Sequence, residues 1–363
     1  MVSNSNVPSS VLKYSFWNIR GYASKIIGNK LIHNDFIEKI KDCDVVGLAE
    51  THIHEEILNK LSIPGFIRIH YLIRKANSKS KGSGGVAVFC TTHISNYLTP
   101  VKNDNQDAAW VKIDKSLCGR DIYLGTIYFS PTGTREHISK QFSDLASDIA
   151  KFQLKGEVII QGDLNARTGR EKDFVNLHNV EGYKEYDEEE ESGIGQRNSE
   201  DSVINNRGEE LVELCKSLNM VILNGRKVGD PWGKMTSHQH NGSAVVDYVV
   251  VSANLIRNVG NLMVGDYSAW VSDHCNLLYE LNAVHHIPIE KEKLIGVPKS
   301  FRFKDGDREK FTQALRSEER ILDELVLCPG NSEFLVDKTT ETLISTCQKA
   351  GIKPKKTAKK RLF

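Results

Sequence analysis

Short apolar runs broken by polar turns dominate the chain up to about residue 283. Residues 11–17, VLKYSFW, begin with alternation and are rich in β-formers, which predicts a first strand. Leu31, Ile32, Phe36, Ile37 and Ile40 recur at helical spacing and predict a helix over 30–41. Residues 44–49, DVVGLA, read as a buried strand ending at Glu50. Further strands are predicted over 84–90, 109–113 and 121–128. Ile138, Phe142, Leu145 and Ile149 line one side of a helix over 135–154. The strand Val158-Ile159-Ile160 leads at once into Gly162-Asp163-Leu164-Asn165. Residues 166–207 are polar and read as loop, with the acidic run Asp187 to Glu191 on a solvated surface. A helix over 209–218, strands over 220–223 and 245–251, and one more strand within 270–281 complete the series.

Many short strands with few helices, and no strict strand–helix alternation, predict an α/β (α+β) fold. Two mixed, mostly antiparallel sheets would pack together with helices outside. The expected layout is a disordered N-terminus (1–10), a main domain (11–283), a linker (284–300), a helical extension (301–352) and a basic tail (353–363). The linker carries Pro288 and Pro298, and the extension is broken at Pro329-Gly330.

Composition narrows the class. Lys and Arg number 48 and Asp and Glu 47, so net charge is +1, which argues against a uniformly basic polyanion binder. The balance averages two unlike parts. Residues 284–363 hold 17 basic and 12 acidic side chains, so residues 1–283 are slightly acidic. The 7 cysteines are scattered with no C-x-x-C pair, which points to a reducing compartment. No secretory signal or membrane-length apolar run is evident, so the expectation is a nuclear or cytoplasmic protein without a membrane partner.

Polar side chains sit just beyond apolar runs again and again. Asn18, Glu50, Asp163, Asn165, Asp273 and His274 all do so, and Asp247 lies inside an apolar strand. An acid at a strand end is more often a cap than a ligand. A buried carboxylate, by contrast, needs a partner. Strand ends on one sheet edge can converge, and several carboxylates held together repel unless a cation neutralises them. Such hard oxygen ligands favour Mg²⁺ or Mn²⁺ over zinc.

The ordered set is Phe16-Trp17-Asn18, Gly47-Leu48-Ala49-Glu50-Thr51-His52, Ile127-Tyr128, Gly162-Asp163-Leu164-Asn165, Val246-Asp247-Tyr248 and Ser272-Asp273-His274. It resembles the endonuclease/exonuclease/phosphatase superfamily over about residues 11–283. The resemblance implies a four-layer sandwich, with two sheets between helical layers. Within that superfamily the chain looks most like the endonuclease domain of LINE-type (non-LTR) retrotransposons. The supporting blocks are 211–220, Ile222-Leu-Asn-Gly-Arg226, Gly229-Asp230, Gly233-Lys-Met-Thr236 and 246–249, with the segment from Phe301 resembling the region after the nuclease. The abasic-site branch usually carries Asp or Asn where this chain has Arg20. It also usually has Asn shortly after the strand tyrosine, where this chain reads Tyr128-Phe-Ser-Pro-Thr, so abasic-site repair is disfavoured.

The resemblance implies Mg²⁺-dependent hydrolysis of a DNA phosphodiester, with Mn²⁺ able to substitute, no organic cofactor, and a 3′-hydroxyl product. Glu50, Asn18 and Asp273 would hold the metal. Asp163 would orient or deprotonate water, and Asn165 would position water or phosphate. His274 would contact the phosphate, Asp247 would fix its ring, and Tyr128 would donate to the phosphate or leaving group. Arg197 and Thr236 would meet DNA phosphates. His52, His54, His238 and His240 read as ordinary residues rather than metal ligands, and Ala244 stands where relatives often have Ser. No polymerase Asp-Asp turn appears before Phe363, so the chain reads as a truncated element, a fragment, or a nuclease retained by a host. Two alternatives remain: a small-molecule or lipid phosphatase on the same metal core, and a relic or domesticated DNA-binding protein.

Overall fold

In chain order the strands are β1 (Val11–Asn18), β2 (Ala23–Ser24), β3 (Gly28–Asn29), β4 (Val45–Ala49), β5 (Phe66–Leu72), β6 (Val86–Thr91), β7 (Leu98–Val101) and β8 (Ala108–Ile113). They continue as β9 (Ile122–Tyr128), β10 (Glu157–Asp163), β11 (Met220–Ile222), β12 (Ser237–Gln239), β13 (Gly242–Ala244), β14 (Asp247–Ser252), β15 (Val259–Val264) and β16 (Leu277–Asn282). The helices among them are α1 (Asn34–Ile40), α2 (Lys115–Cys118), α3 (Arg135–Gln153) and α4 (Asn206–Ser217). This computed structural model describes residues 11–73, 84–175, 194–240, 242–283, 301, 303–304, 306–317 and 342–353. The chain divides into two compact units, Met1–Ile287 and Pro288–Phe363. Helix α5 (Asp307–Arg316) and a helix over 342–349 lie in the second.

Two six-stranded sheets form the first unit, in the orders β15-β16-β1-β4-β6-β5 and β11-β14-β10-β9-β8-β7. Each has one parallel pair, β1 with β4 and β9 with β10, and is otherwise antiparallel. Period-two alternation sorts the side chains into layers. Tyr14 and Phe16 of β1, Val45 of β4, Val111 of β8, Leu124 of β9 and Val249 of β14 fill the space between the sheets. Trp17, Val46 and Leu48 face outward, where Phe36 and Ile40 of α1 cover them. On the other side Trp110, Ile127 and Val158 pack under Phe142, Leu145 and Ile149 of α3 and Leu211 and Leu214 of α4. The result is the expected four-layer sandwich.

The parallel pairs decide where chemistry can gather, because both strands of such a pair end at one edge. Asn18 is level with Ala49 across β1 and β4. Asp163 is level with Tyr128 across β10 and β9. β14 runs antiparallel to β10 and starts at that same edge, with Asp247 opposite Asp163. A buried polar contact crosses the inter-sheet space. Tyr279 Oη donates to Gln161 Oε1 at 3.0 Å, and Gln161 Nε2 donates to Thr126 Oγ1 at 3.0 Å. Gly47 makes room for that amide, since a Cβ there would lie 2.2 Å from Gln161 Nε2.

Several expectations are corrected. The helix over 30–41 is two pieces, a 3₁₀ turn at Lys30–Ile32 and α1, with extended backbone at His33 between them. Asn29 and His33 each cap one piece through a side chain, so the pattern contains two helix starts. Strands β5, β7 and β15 were not anticipated. β5 and β15 carry register irregularities, and β7 contains Pro100. The polar stretch 166–207 is not simply solvated, because Thr168, Asp173, Arg197 and Asp201 are buried in it. Asp173 pairs with Arg226 at 2.7 Å and Asp201 with Arg167 at 2.6 Å. The N-terminus, the acidic run, the linker, the Pro329-Gly330 break and all of the basic tail but Lys353 lie outside the described residues. No helix among the described residues is long and apolar enough to cross a membrane. The six described cysteines are free and buried.

Candidate functional site

Seven of the expected residues meet at the edge where the parallel pairs end. Asn18 closes β1, and its Nδ2 donates to Glu50 Oε1 and to Asp163 Oδ2, both at 2.8 Å. One amide therefore ties the first sheet to the second. Asp163 closes β10, and its Oδ1 accepts the Asn165 N–H at 3.0 Å. Asn165 Nδ2 is committed to Phe129 O at 2.8 Å. Asp247 opens β14, and its Oδ2 lies 2.8 Å from His274 Nδ1. Ligand-type atoms of Asp163, Asp247 and His274, all three buried, lie within 4.8 Å of one another. Asp273 Oδ2 pairs with Arg20 Nη1 at 2.8 Å.

The loops carrying these groups hold unusual backbone. Arg20, Glu50, His52 and Asn165 have φ of 46°, 48°, 52° and 48°. Among the described residues only Asn219 is a further non-glycine with positive φ. Such conformations are disfavoured for side-chain-bearing residues and persist where surrounding bonds enforce them. Here Gly21 N donates to Glu50 O at 2.6 Å and Tyr22 N to Thr51 O at 3.0 Å. Lys30, buried, places Nζ 2.7 Å from Ile19 O and 3.3 Å from Arg20 O.

Electrostatics separate the acids. Burial and the charge of Asp247 raise the Asp163 carboxyl to about 7, against the pull of His274 and Asn18. Burial also works against ionised Glu50, but hydrogen bonds from His52 and Asn18 outweigh it and hold its pKa below the ordinary value. Burial opposes the His274 cation, yet Asp247 prevails through charge and hydrogen bond, and the imidazole rises to about 10. The edge thus presents an ionised Glu50, a carboxyl at Asp163 poised near neutrality, and a cationic His274.

Other expected residues are placed differently. Tyr128 is buried, with its backbone level with Asp163. Arg197 is 2% exposed and donates to Thr168 Oγ1 at 2.7 Å. Thr236 is fully buried, and its Oγ1 accepts the N–H groups of Val246 and Asp247, both at 3.1 Å. Both side chains are engaged within the protein. Thr236 instead splints the start of β14 and so places Asp247.

Sequence reasoning overlooked several supporting groups. His52 Nε2 lies 3.1 Å from Glu50 Oε2, so His52 is not the ordinary residue its sequence context suggests. Ser272 Oγ donates to Asn18 O at 2.6 Å and accepts His274 N at 3.1 Å, and its place in the Ser-Asp-His motif was the available signal. Nothing in the local pattern marks Lys30.

The donor set suits a divalent cation. Glu50 is ionised and its side chain is 19% exposed, and the Asp163 carboxylate shares with it the Asn18 Nδ2 donor. These are hard ligands of the kind Mg²⁺ and Mn²⁺ take.

Such an edge, at the rim of a two-sheet sandwich, is the arrangement of a phosphate-ester hydrolase. Residues 16–274 match the endonuclease/exonuclease/phosphatase family, and the chain belongs to that family. Its fold is shared with the AP endonuclease LMAP from Leishmania major, with TM-score 0.52 and 14% identity over 75% of this chain and 88% of that one. The catalytic domain of Xenopus laevis APE2 aligns with TM-score 0.51 and 16% identity over 75% of this chain and 92% of that one. The endonuclease domain of TRAS1, a telomere-specific non-LTR retrotransposon, aligns with TM-score 0.47 and 14% identity over 74% and 98%. At these identities the first two likenesses establish the fold alone. No curated protein matches the chain in sequence.

Proposed function

We propose that the chain is a divalent-metal-dependent DNA endonuclease that nicks one phosphodiester and leaves a 3′-hydroxyl, as LINE-type retrotransposons require to prime reverse transcription. The observation that carries this reading is the buried Asp247–His274 pair beside Asp163, with Glu50 joined to Asp163 through Asn18. The retrotransposon assignment rests on the sequence blocks between Leu211 and Val249.

Glu50, Asn18 and Asp273 would hold the ion. When bound, the ion neutralises charge developing on the phosphoryl and leaving oxygens. Asp163, near neutral in pKa, orients the attacking water and takes its proton. Asn165 has spent its Nδ2 on Phe129, so its Oδ1 is the atom left to accept from that water. His274 is held as a cation with Nδ1 toward Asp247 and Nε2 3.4 Å from Ser237 Oγ, and Nε2 exchanges that long contact for the phosphate. Tyr128 donates to the phosphate or leaving group.

The test is nicking of supercoiled plasmid in Mg²⁺ and in EDTA, beside an inositol-phosphate and lipid-phosphate panel, with Asp163→Ala as control. Mg²⁺-dependent open circles that a polymerase can extend support the reading. Turnover of the small phosphates with intact plasmid would make the chain a phosphatase of the same family. Metal-independent DNA binding without nicking would make it a binding protein.

A further inference from the structure

The loop between β15 and β16 leaves two large rings in water next to the reactive edge. Tyr267 is 48% exposed and Trp270 is 59% exposed. A single exposed aromatic is ordinary. Here two lie in one short loop, and a third ring joins the first. The Tyr267 ring meets His238 edge-on, with centroids 5.1 Å apart and planes at 62°. His238 belongs to the β12–β13 hairpin, and its backbone N–H donates to Asp273 O at 2.7 Å. The same hairpin is bridged to His274 through Ser237. The rings therefore border the Ser-Asp-His segment that closes the site.

The backbone beneath them is fixed. The N–H groups of Val271 and Ser272 both donate to Ser268 O at 3.0 Å, which closes a turn around Trp270. Val271 packs in the core with Trp17 and Phe36, and Ser272 Oγ donates to Asn18 O at 2.6 Å. Lys39 Nζ donates to Asp266 O at 2.8 Å, just before Tyr267. Aromatic rings on a fixed backbone offer much contact area and lose little freedom on binding.

Flat rings in water beside a phosphate-handling edge suit the flat faces of nucleic-acid bases, which follow the phosphates along a strand. In a paired duplex those faces are stacked on one another and out of reach. In an unpaired strand they are free. Arg20 pairs with Asp273 at 2.8 Å and offsets a carboxylate charge that would repel a strand on this side.

We propose that Tyr267 and Trp270, with His238 bracing Tyr267, form a stacking platform for successive bases of an unpaired DNA strand, so that the preferred substrate is a fork between duplex and single strand. This rests on the DNA reading above and adds the form of the DNA. The two rings determine specificity and touch no reacting atom.

The test measures binding by fluorescence anisotropy in Mg²⁺, using the full chain with Asp163→Asn to suppress cutting. The probes are a fully paired duplex and the same duplex with one end opened into a fork. Fork binding is expected to be tighter by about 25-fold or more, from two stacks worth at least about fivefold each. Tyr267→Ala and Trp270→Ala each lower that ratio by about fivefold or more, with circular dichroism as fold control. Of the four tryptophans, Trp17 and Trp110 are fully buried, so quenching of tryptophan fluorescence by the fork reports on Trp270 or Trp232. Trp270→Phe keeps the preference and loses the quenching, and Trp232→Phe keeps both. Equal affinity for the two probes would overturn the proposal in favour of a protein partner for the rings. A ratio unmoved in either alanine variant, or quenching that survives Trp270→Phe, would overturn it too, and all three outcomes leave the nuclease reading standing. No binding of either probe would sink the DNA reading and this inference together.

Discussion

Asp163 and Asp247 stand directly opposite each other on the antiparallel strands β10 and β14. Like charges in that relation destabilise a sheet. The fold separates the pair chemically, giving Asp247 an imidazole as partner and Asp163 two N–H donors, from Asn18 and Asn165. Burial and the Asp247 charge still raise the Asp163 carboxyl to about 7, and Asp247 keeps His274 a cation to about 10.

Removing either end of this arrangement should stop the chemistry without unfolding the chain. Asp163→Ala and His274→Ala are each expected to lower nicking by roughly 10²–10⁴-fold, the span typical of a lost general acid or base. Initial rates on supercoiled plasmid check this, with circular dichroism as the fold control. Full activity in either variant would remove the assignment.

Asp247→Asn takes away the charge that outweighs burial at His274. The imidazole should then titrate at or below its ordinary value of about 6.5 rather than near 10, as read by NMR of its ring. Because the folded pKa is raised, the pair's stabilisation is fully present below about pH 6.5 and is lost as pH rises through about 10. Urea melts should show wild type exceeding the variant by more at pH 6 than at pH 10.5. A constant difference would contradict this account.

Asp163 has the same sign, for a different reason. Its folded carboxyl is raised above the unfolded one, so its contribution is whole below about pH 4 and lost as pH rises through about 7. In metal-free protein, Asp163→Asn escapes that loss. It should exceed wild type in stability at pH 8 by about 2–4 kcal/mol, with the advantage gone near pH 4. An unchanged difference at the two pH values in chemical denaturation would count against a buried, raised carboxyl.

Gly47 tests the inter-sheet contact. A methyl there would meet Gln161 Nε2 at 2.2 Å, so Gly47→Ala should cost about 1–3 kcal/mol in urea denaturation. Adding Gln161→Ala should recover part of that loss, because the clash is with that side chain. A strictly additive double variant would show that the two residues do not oppose each other.

The chemistry-bearing residues were legible one by one, since Asn18, Glu50, Asp163, Asp247 and His274 each follow or open an apolar run. The main strands were legible too, because β1, β4, β9, β10 and β14 are buried and the run length of apolar residues marks them. β5 and β15 were hidden by partial exposure and register irregularity, and β7 by its proline, which weaken the alternation that strand reading depends on.

Residue pattern along the chain set the layered fold and the kinds of side chain at the strand ends. Tertiary structure alone decided how those groups are paired. Pairing is a matter of which edges meet, and parallel strands from two sheets bring Asn18 to Asp163 across 145 residues of chain. It also decided that Arg197 and Thr236 are internal, and that Lys30 and Arg20 brace the edge. Burial and partner choice depend on what packs against a residue, and local pattern carries no record of that.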